Sequence, residues 1–418
     1  MSPTLVPDAA LDDSSAMHDG ARSVSGAITL LAGIFTSFTV SLVGEMPVGE
    51  LFLMMATGWI FVHCALKQTW PGPLLRRGLF WVLLVCQAIA LGAYVASDFY
   101  RGSSTHDMLR GWARMVFLVI DITAVAYLFG RSPRNLLLLI FGLQIGSAVQ
   151  GLFFGALFGD LWKFGIGIPI TYAAFALAGA AGPLATMIAG GVMCLVNFAM
   201  DFRSVGASCM LIAAFTVVQS LPRRLRAWVI PVGGVLALLA ISLIYSSSQK
   251  ETGGERADRS NIERSAMMQA AAEAFMTSPL IGHGSWFSNT HVIDNFMMIR
   301  DASAKEANVG GFAGLNDDDD PVAIHSQILV TLAEGGIFGS TFFVLFLGAI
   351  LWALYDQIMV QAWRPTSAVR LLVLIFALTN VFASPFSGAH RVYIALAAGL
   401  ILLISAERDE SQNHELTS

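Results

Sequence analysis

Twelve long, continuously apolar stretches run through this chain, at roughly 25–44, 48–66, 79–97, 112–129, 135–158, 167–181, 183–200, 204–220, 227–246, 326–355, 368–384 and 388–405. Crossing the hydrocarbon of a bilayer takes about 20 mostly apolar residues in a helix. Lipid offers no partner to a bare backbone amide, so only helices or closed barrels span it. The runs do not alternate, so the expected fold is an all-α integral membrane protein of about twelve transmembrane helices. Gly179, Gly182 and Pro183 leave open whether 167–200 is one bent span or two. Composition agrees. Of 418 residues 56% are hydrophobic and only 13% are charged, about half the charge of a soluble domain. That excludes a soluble enzyme, a disordered chain and a nucleic-acid binder. Net charge is −5 with no long basic tract, so no polyanionic partner is expected.

Cys64, Cys86, Cys194 and Cys209 all lie in apolar stretches and match no disulfide framework or metal motif. Residues 1–24 form a polar tail holding Asp8, Asp12, Asp13 and Asp19; a secretory leader would begin with basic residues. With twelve spans both ends of the chain share a side. The short loops on that side hold ten Lys and Arg residues: Lys67, Arg76, Arg77, Arg131, Arg134, Arg223, Arg224, Arg226, Arg364 and Arg370. Six lie on the other side: Arg101, Arg110, Arg114, Lys163, Arg203 and Arg391. The positive-inside rule then puts both termini, 1–24 and 406–418, in the cytoplasm. Spans one to nine occupy 25–246 and spans ten to twelve 326–405. The long connection 247–325 faces outward, and a loop of that length is usually functional. Within it Ile262, Ala266, Met267, Ala270, Ala274 and Phe275 recur at three and four, predicting a helix over 259–277 that Ser278-Pro279 ends. There is no internal repeat of the kind found in two-halved transporters.

Three outward segments carry chemistry-bearing residues. The first is Asp201-Phe202-Arg203-Ser204. In the second, Arg264 precedes an apolar helix and then Pro279-Leu280-Ile281-Gly282-His283-Gly284. The third runs from His325-Ser326-Gln327-Ile328-Leu329 to Glu334-Gly335-Gly336-Ile337-Phe338-Gly339. His325 stands where the outer loop meets the tenth span. Glu334 inside a span is a bundle-facing or functional group by default, and glycines let another backbone come close. Each residue also has a plainer reading. His325 serves as an interfacial polar group, Arg203 as a snorkelling anchor, Arg264 as a partner of Glu263 on a solvated helix, and Arg391, next to His390, as an anchor. Asp317–Asp320 lacks the spacing and glycine of a calcium loop and reads as a solvated acidic stretch. Trp286 and Phe287, flanked by His283 and His291, read either as a sugar platform or as interfacial packing.

H-S-x-x-L followed by E-G-G-x-x-G after a long outer loop resembles the O-antigen ligase family, which includes the related O-antigen and exopolysaccharide polymerases. Arg264 through Gly284 looks like that family's loop signature, and Phe202 through Ser208 is similar to its S-R-G-A motif. The likeness is close over roughly 185–350. The family's aromatic residue four positions after the loop arginine is Met268 here, and its serine before the first arginine is Phe202. Neither change removes a charge.

The resemblance implies a metal-independent, inverting glycosyltransferase of the bacterial inner membrane with its active site in the periplasm. It implies a donor glycan on undecaprenyl pyrophosphate and an acceptor that is lipid A–core or a growing glycan. It implies no cofactor and no metal. Arg203 and Arg264 would clamp the pyrophosphate with planar, permanently charged forks. Arg391 would add a further contact, and His325 would take the acceptor hydroxyl's proton. A non-enzymatic transporter of lipid-linked glycan is the rival class; it predicts ionisable groups at the bilayer midplane. The spans offer few of these: Asp121, with Glu45 and Glu50 near ends.

Overall fold

The computed structural model describes residues 24–41, 45–68, 71–154, 161–222, 224–226, 255–287, 290–306, 324–360 and 362–417. In chain order the helices are α1 (Val24–Thr36), α2 (Val48–Lys67), α3 (Gly78–Arg101), α4 (Thr105–Arg131) and α5 (Arg134–Phe154). There follow α6 (Gly167–Ala181), α7 (Pro183–Ala199), α8 (Arg203–Ser220), α9 (Glu255–Thr277) and α10 (Thr290–Glu306). The last four are α11 (Gln327–Gly339), α12 (Thr341–Met359), α13 (Ser367–Ala383) and α14 (Gly388–Thr417). Seven of them, α2–α5, α8, α12 and α14, are long and apolar enough to cross a bilayer, and five shorter ones are equally apolar. Apart from one short strand pair the described residues are helical, and the chain is a multi-pass membrane protein. Large apolar side chains stay exposed on the helix faces, among them Phe61, Phe141, Leu177, Leu184 and Leu195. A surface like that belongs against lipid tails.

Several boundaries differ from the sequence reading, each for a local reason. The first helix stops at Thr36, short of 44, and Thr39–Ser41 pairs antiparallel with Glu45–Pro47. β-Branched Thr39 and Val40 favour the extended form, and Pro47 sets the start of α2. Expected spans six and seven are two helices: Gly182 takes φ 117° and Pro183 opens α7 at a position where its missing N–H is harmless. The fourth helix begins at Thr105 rather than 112, because the Ser104 side chain caps it by accepting from the Asp107 amide. Arg110 and Arg114, counted above as loop charges, are therefore helical. The tenth run, 326–355, is not one helix. It breaks at Gly336 (φ 65°, ψ −162°) and restarts as α12. The expected helix over 259–277 is present and four residues longer at its start. Residues 227–246, the ninth expected span, and Asp317–Asp320 lie outside the described residues.

The core is assembled around α4, α13 and α14. α4 presents Leu118, Ile122, Val125 and Phe129, all buried, while α14 is buried along Val392–Ile404 with only Tyr393 and Gly399 outside the apolar buried set. Phe342, Phe343 and Phe346 of α12 stack on one another and on Phe386 of the α13–α14 turn. Outside this core α9 and α10 make a hairpin through Ala266, Ala270 and Phe296. One face of that hairpin leans on α11. The start of α11 lies within electrostatic reach of the middle of α9, at Arg264, and of the start of α14, at His390, and the candidate site lies there.

Candidate functional site at the α9, α11 and α14 junction

Ser326 caps α11 by accepting from the Leu329 amide at 3.4 Å, which fixes the residue before it, His325, at the mouth of the helix. His325 is half-buried. Its neighbour from α9 is Arg264, which lies on the exposed face of a helix whose Ala266, Ala270, Ala271 and Ala274 are buried. Burial, and then the positive charge of Arg264, hold the His325 imidazole below the ordinary histidine value of 6.5. It is thus a free base at neutral pH with a guanidinium in electrostatic reach. His390 of α14 also lies within electrostatic reach of His325. It is oriented by Ser387, whose hydroxyl is 2.7 Å from His390 Nδ1. The structure therefore brings together two residues that the sequence pointed to, His325 and Arg264, and adds His390 as a third.

Arg203 opens α8 and donates from Nε to Asp201 at 2.9 Å, with close to half of its side chain exposed. Among the described residues no hydrogen bond or ion pair joins it to Arg264 or His325. Arg391 has a different setting. Its Nε and Nη2 each lie 2.8 Å from a Glu50 oxygen, both side chains are buried, and Asp121 of α4 shares the cluster. A fork committed to a carboxylate in this way is a tie between α2 and α14. Arg391→Ala is expected to leave Glu50 and Asp121 buried without a cation and to destabilise the fold by about 3–5 kcal/mol. Thermal unfolding in detergent checks it; unchanged stability with weakened donor binding would return Arg391 to the phosphate site.

The segment that follows α9 is tied into the fold as well. His283 Nε2 lies 2.9 Å from the Ala274 carbonyl and 3.0 Å from the Thr277 hydroxyl, closing the end of α9. Trp286 has φ 60°, a conformation that bulky residues seldom adopt. Its ring lies against Arg110, 4.1 Å from guanidinium to ring centroid, and Arg114 at 5.1 Å. Two guanidinium groups thus lie within cation–π distance of this ring. Glu334 faces inward, as its position inside a span suggested. It accepts from Tyr94 Oη at 2.7 Å, pairs with Arg114, and accepts the Trp286 amide at 2.9 Å. Sequence reasoning missed the Arg114 side of this pair by placing that residue in a loop. The available signal was a charge beside an apolar run, which demands a partner. Among the described residues no three His, Cys, Asp or Glu side chains converge in a way that would hold a metal ion.

Residues 166–344 match the model of the O-antigen ligase family. That segment holds Arg203, Arg264 and His325 and excludes His390 and Arg391. The curated proteins contain no match to the chain. Over that segment, a little under half of its length, this multi-pass helical chain is similar to the O-antigen ligases.

Proposed function

We propose that the protein transfers a glycan from undecaprenyl pyrophosphate to a sugar hydroxyl of lipid A–core, at the periplasmic face of the bacterial inner membrane. The observation that carries this reading is a half-buried His325 at the head of α11, held below the ordinary histidine value by burial and by the charge of Arg264, inside the family-matched segment. In the reaction the acceptor oxygen attacks the anomeric carbon as the bond to the pyrophosphate oxygen breaks. His325 takes the hydroxyl proton, and attack opposite the leaving group inverts the anomeric centre. Charge grows on the departing pyrophosphate, so guanidinium groups aimed there stabilise the transition state more than the bound donor. We assign the first contact to Arg264, from its electrostatic reach to His325, and the second to Arg203, from its motif.

In this reading the 247–325 connection is a periplasmic catalytic loop between two sets of spans. Extension of the glycan on its lipid carrier is the same chemistry with a different acceptor. Deleting the gene and running surface glycans on a gel decides between them. Free lipid A–core with intact carrier-linked polymer is the expected outcome; single-repeat products would identify a polymerase, and a normal ladder would end the transferase reading. The arginines take over the charge neutralisation that a divalent ion supplies elsewhere, so transfer by purified protein should survive EDTA. Activity that vanishes with chelator and returns with Mg²⁺ would count against this and point to Asp317–Asp320.

A further inference from the structure

α9 ends at Thr277, and the segment that follows is locked to the break in α11 rather than lying loose on it. The His283 amide donates to the Ala333 carbonyl at 2.9 Å, the Gly284 amide to the Glu334 carbonyl at 3.0 Å and the Ile337 amide to the Pro279 carbonyl at 2.8 Å. Gly282 and Gly336 both take left-handed φ and face each other's strands. A Cβ on Gly282 would sit 2.3 Å from the Glu334 carbonyl oxygen, and one on Gly336 would sit 2.5 Å from that of Leu280. Backbones this close have no room to slide. The side chains of α3 and α4 complete the staple. Asp98 accepts the Ser285 amide at 2.6 Å, the Ser285 hydroxyl at 2.8 Å and the Trp112 indole at 2.7 Å. Arg101, at the end of α3, donates to the Gly282 carbonyl at 3.0 Å and to the Ser278 hydroxyl at 2.7 Å.

We infer that Arg101 and the buried Glu334–Arg114 pair are positioning residues, which pin the end of α9 to the break in α11 and so hold Arg264 opposite His325. This rests on the glycosyl-transfer reading above only for its kinetic consequences. Arg264 lies thirteen residues before the pinned end of α9, a lever of about 20 Å at helical rise. A tilt of about 3° on such a lever moves the guanidinium by about 1 Å. Misplacement on that scale, from a change remote from the chemistry, is worth up to about 100-fold in rate. His325 stands on the other arm, nine residues before Glu334. Among the described residues, the charged and titratable groups that face His325 are Arg264 from α9 and His390 from α14. A slackened staple therefore has a readable sign: as Arg264 draws away, the His325 imidazole becomes easier to protonate.

The test uses the full chain in nanodiscs, with histidine titration followed by NMR on labelled protein, thermal unfolding, and steady-state transfer from a lipid-pyrophosphate-linked glycan. Arg101→Ala is the main variant. Arg101 is half-buried at the rim and its removal leaves the Glu334–Arg114 pair intact, so the unfolding temperature should hold. The expected result is an upward move of the His325 titration with kcat lowered about 10- to 100-fold and the donor KM changed far less. Arg101→Lys, which keeps one donor for the Gly282 carbonyl, should recover part of both effects. Glu334→Gln should move the titration in the same direction, and the rim variant decides the matter if this one fails to fold. An unmoved His325 titration in a well-folded Arg101→Ala protein would overturn the proposal. The titration needs no turnover. A wild-type protein that transfers nothing, yet shows the titration shift in Arg101→Ala, would keep the staple and discard the transferase reading.

Discussion

Replacing His325 with alanine should lower glycan transfer by about 10²–10⁴-fold, the usual weight of a general base, while donor binding persists. The imidazole sits at the mouth of α11, fixed by the Ser326 cap, with Arg264 in electrostatic reach. Its removal takes away the proton acceptor and leaves the arginine. Burial and Arg264 together favour the uncharged ring, so in the wild type the acid limb of the pH–rate profile should fall below 6.5, the ordinary histidine value. The sign for stability is the same. A histidine whose folded value is lowered contributes fully above its unfolded value, and that contribution is lost as pH falls through the folded one. Single-turnover transfer by His325→Ala at several pH values, with donor binding measured alongside, checks both statements. A variant that retains near-normal transfer, or a limb unmoved by the substitution, would remove His325 from the chemistry.

The apolar runs carried the fold class because their period and length allow little else, and a helix over 259–277, observed as Glu255–Thr277, followed from the spacing of Ile262, Ala266, Ala270 and Ala274. Helix ends were less legible. The Ser104 hydroxyl caps α4 and starts the helix seven residues before the apolar run, so that Arg110 is helical too. The break at Gly336 has the same character. Gly335-Gly336 weakens a helix, but whether the chain stays helical there depends on whether another backbone arrives to take up the freed groups. Pro279–Gly284, some fifty residues earlier in sequence, does so. Pairings between distant segments leave no mark in local periodicity. That is why Glu334 could be read as inward-facing while Arg114, Tyr94 and Asp98 could not be named as its company. The site shows the same division. His325 was findable as a chemical type at the head of an apolar helix, and Arg264 as one on a helix of the outer loop. That Arg391 is tied to Glu50 across α2 and α14 is a matter of tertiary packing alone.

Arg264 should have two separable roles, and two substitutions should pull them apart. Arg264→Lys keeps a positive charge beside His325, so the acid limb should stay near its wild-type position. It loses the planar fork that grips phosphate oxygens in pairs, so transfer should fall by about 10²–10³-fold, the scale set by removal of one transition-state donor. Arg264→Ala should lose the grip and the charge together. The limb should then move upward as His325 becomes easier to protonate, and donor affinity should drop. Arg203 pairs with Asp201 and is half-exposed, so Arg203→Lys should leave the limb where it is and weaken transfer alone. If both arginines hold one pyrophosphate, the double lysine variant should lose less than the product of the single losses, because partners on a shared group do not act additively. Fully additive losses would place Arg203 on a separate group, and a limb that ignores Arg264→Ala would mean that the two residues, near as they are, do not share a site.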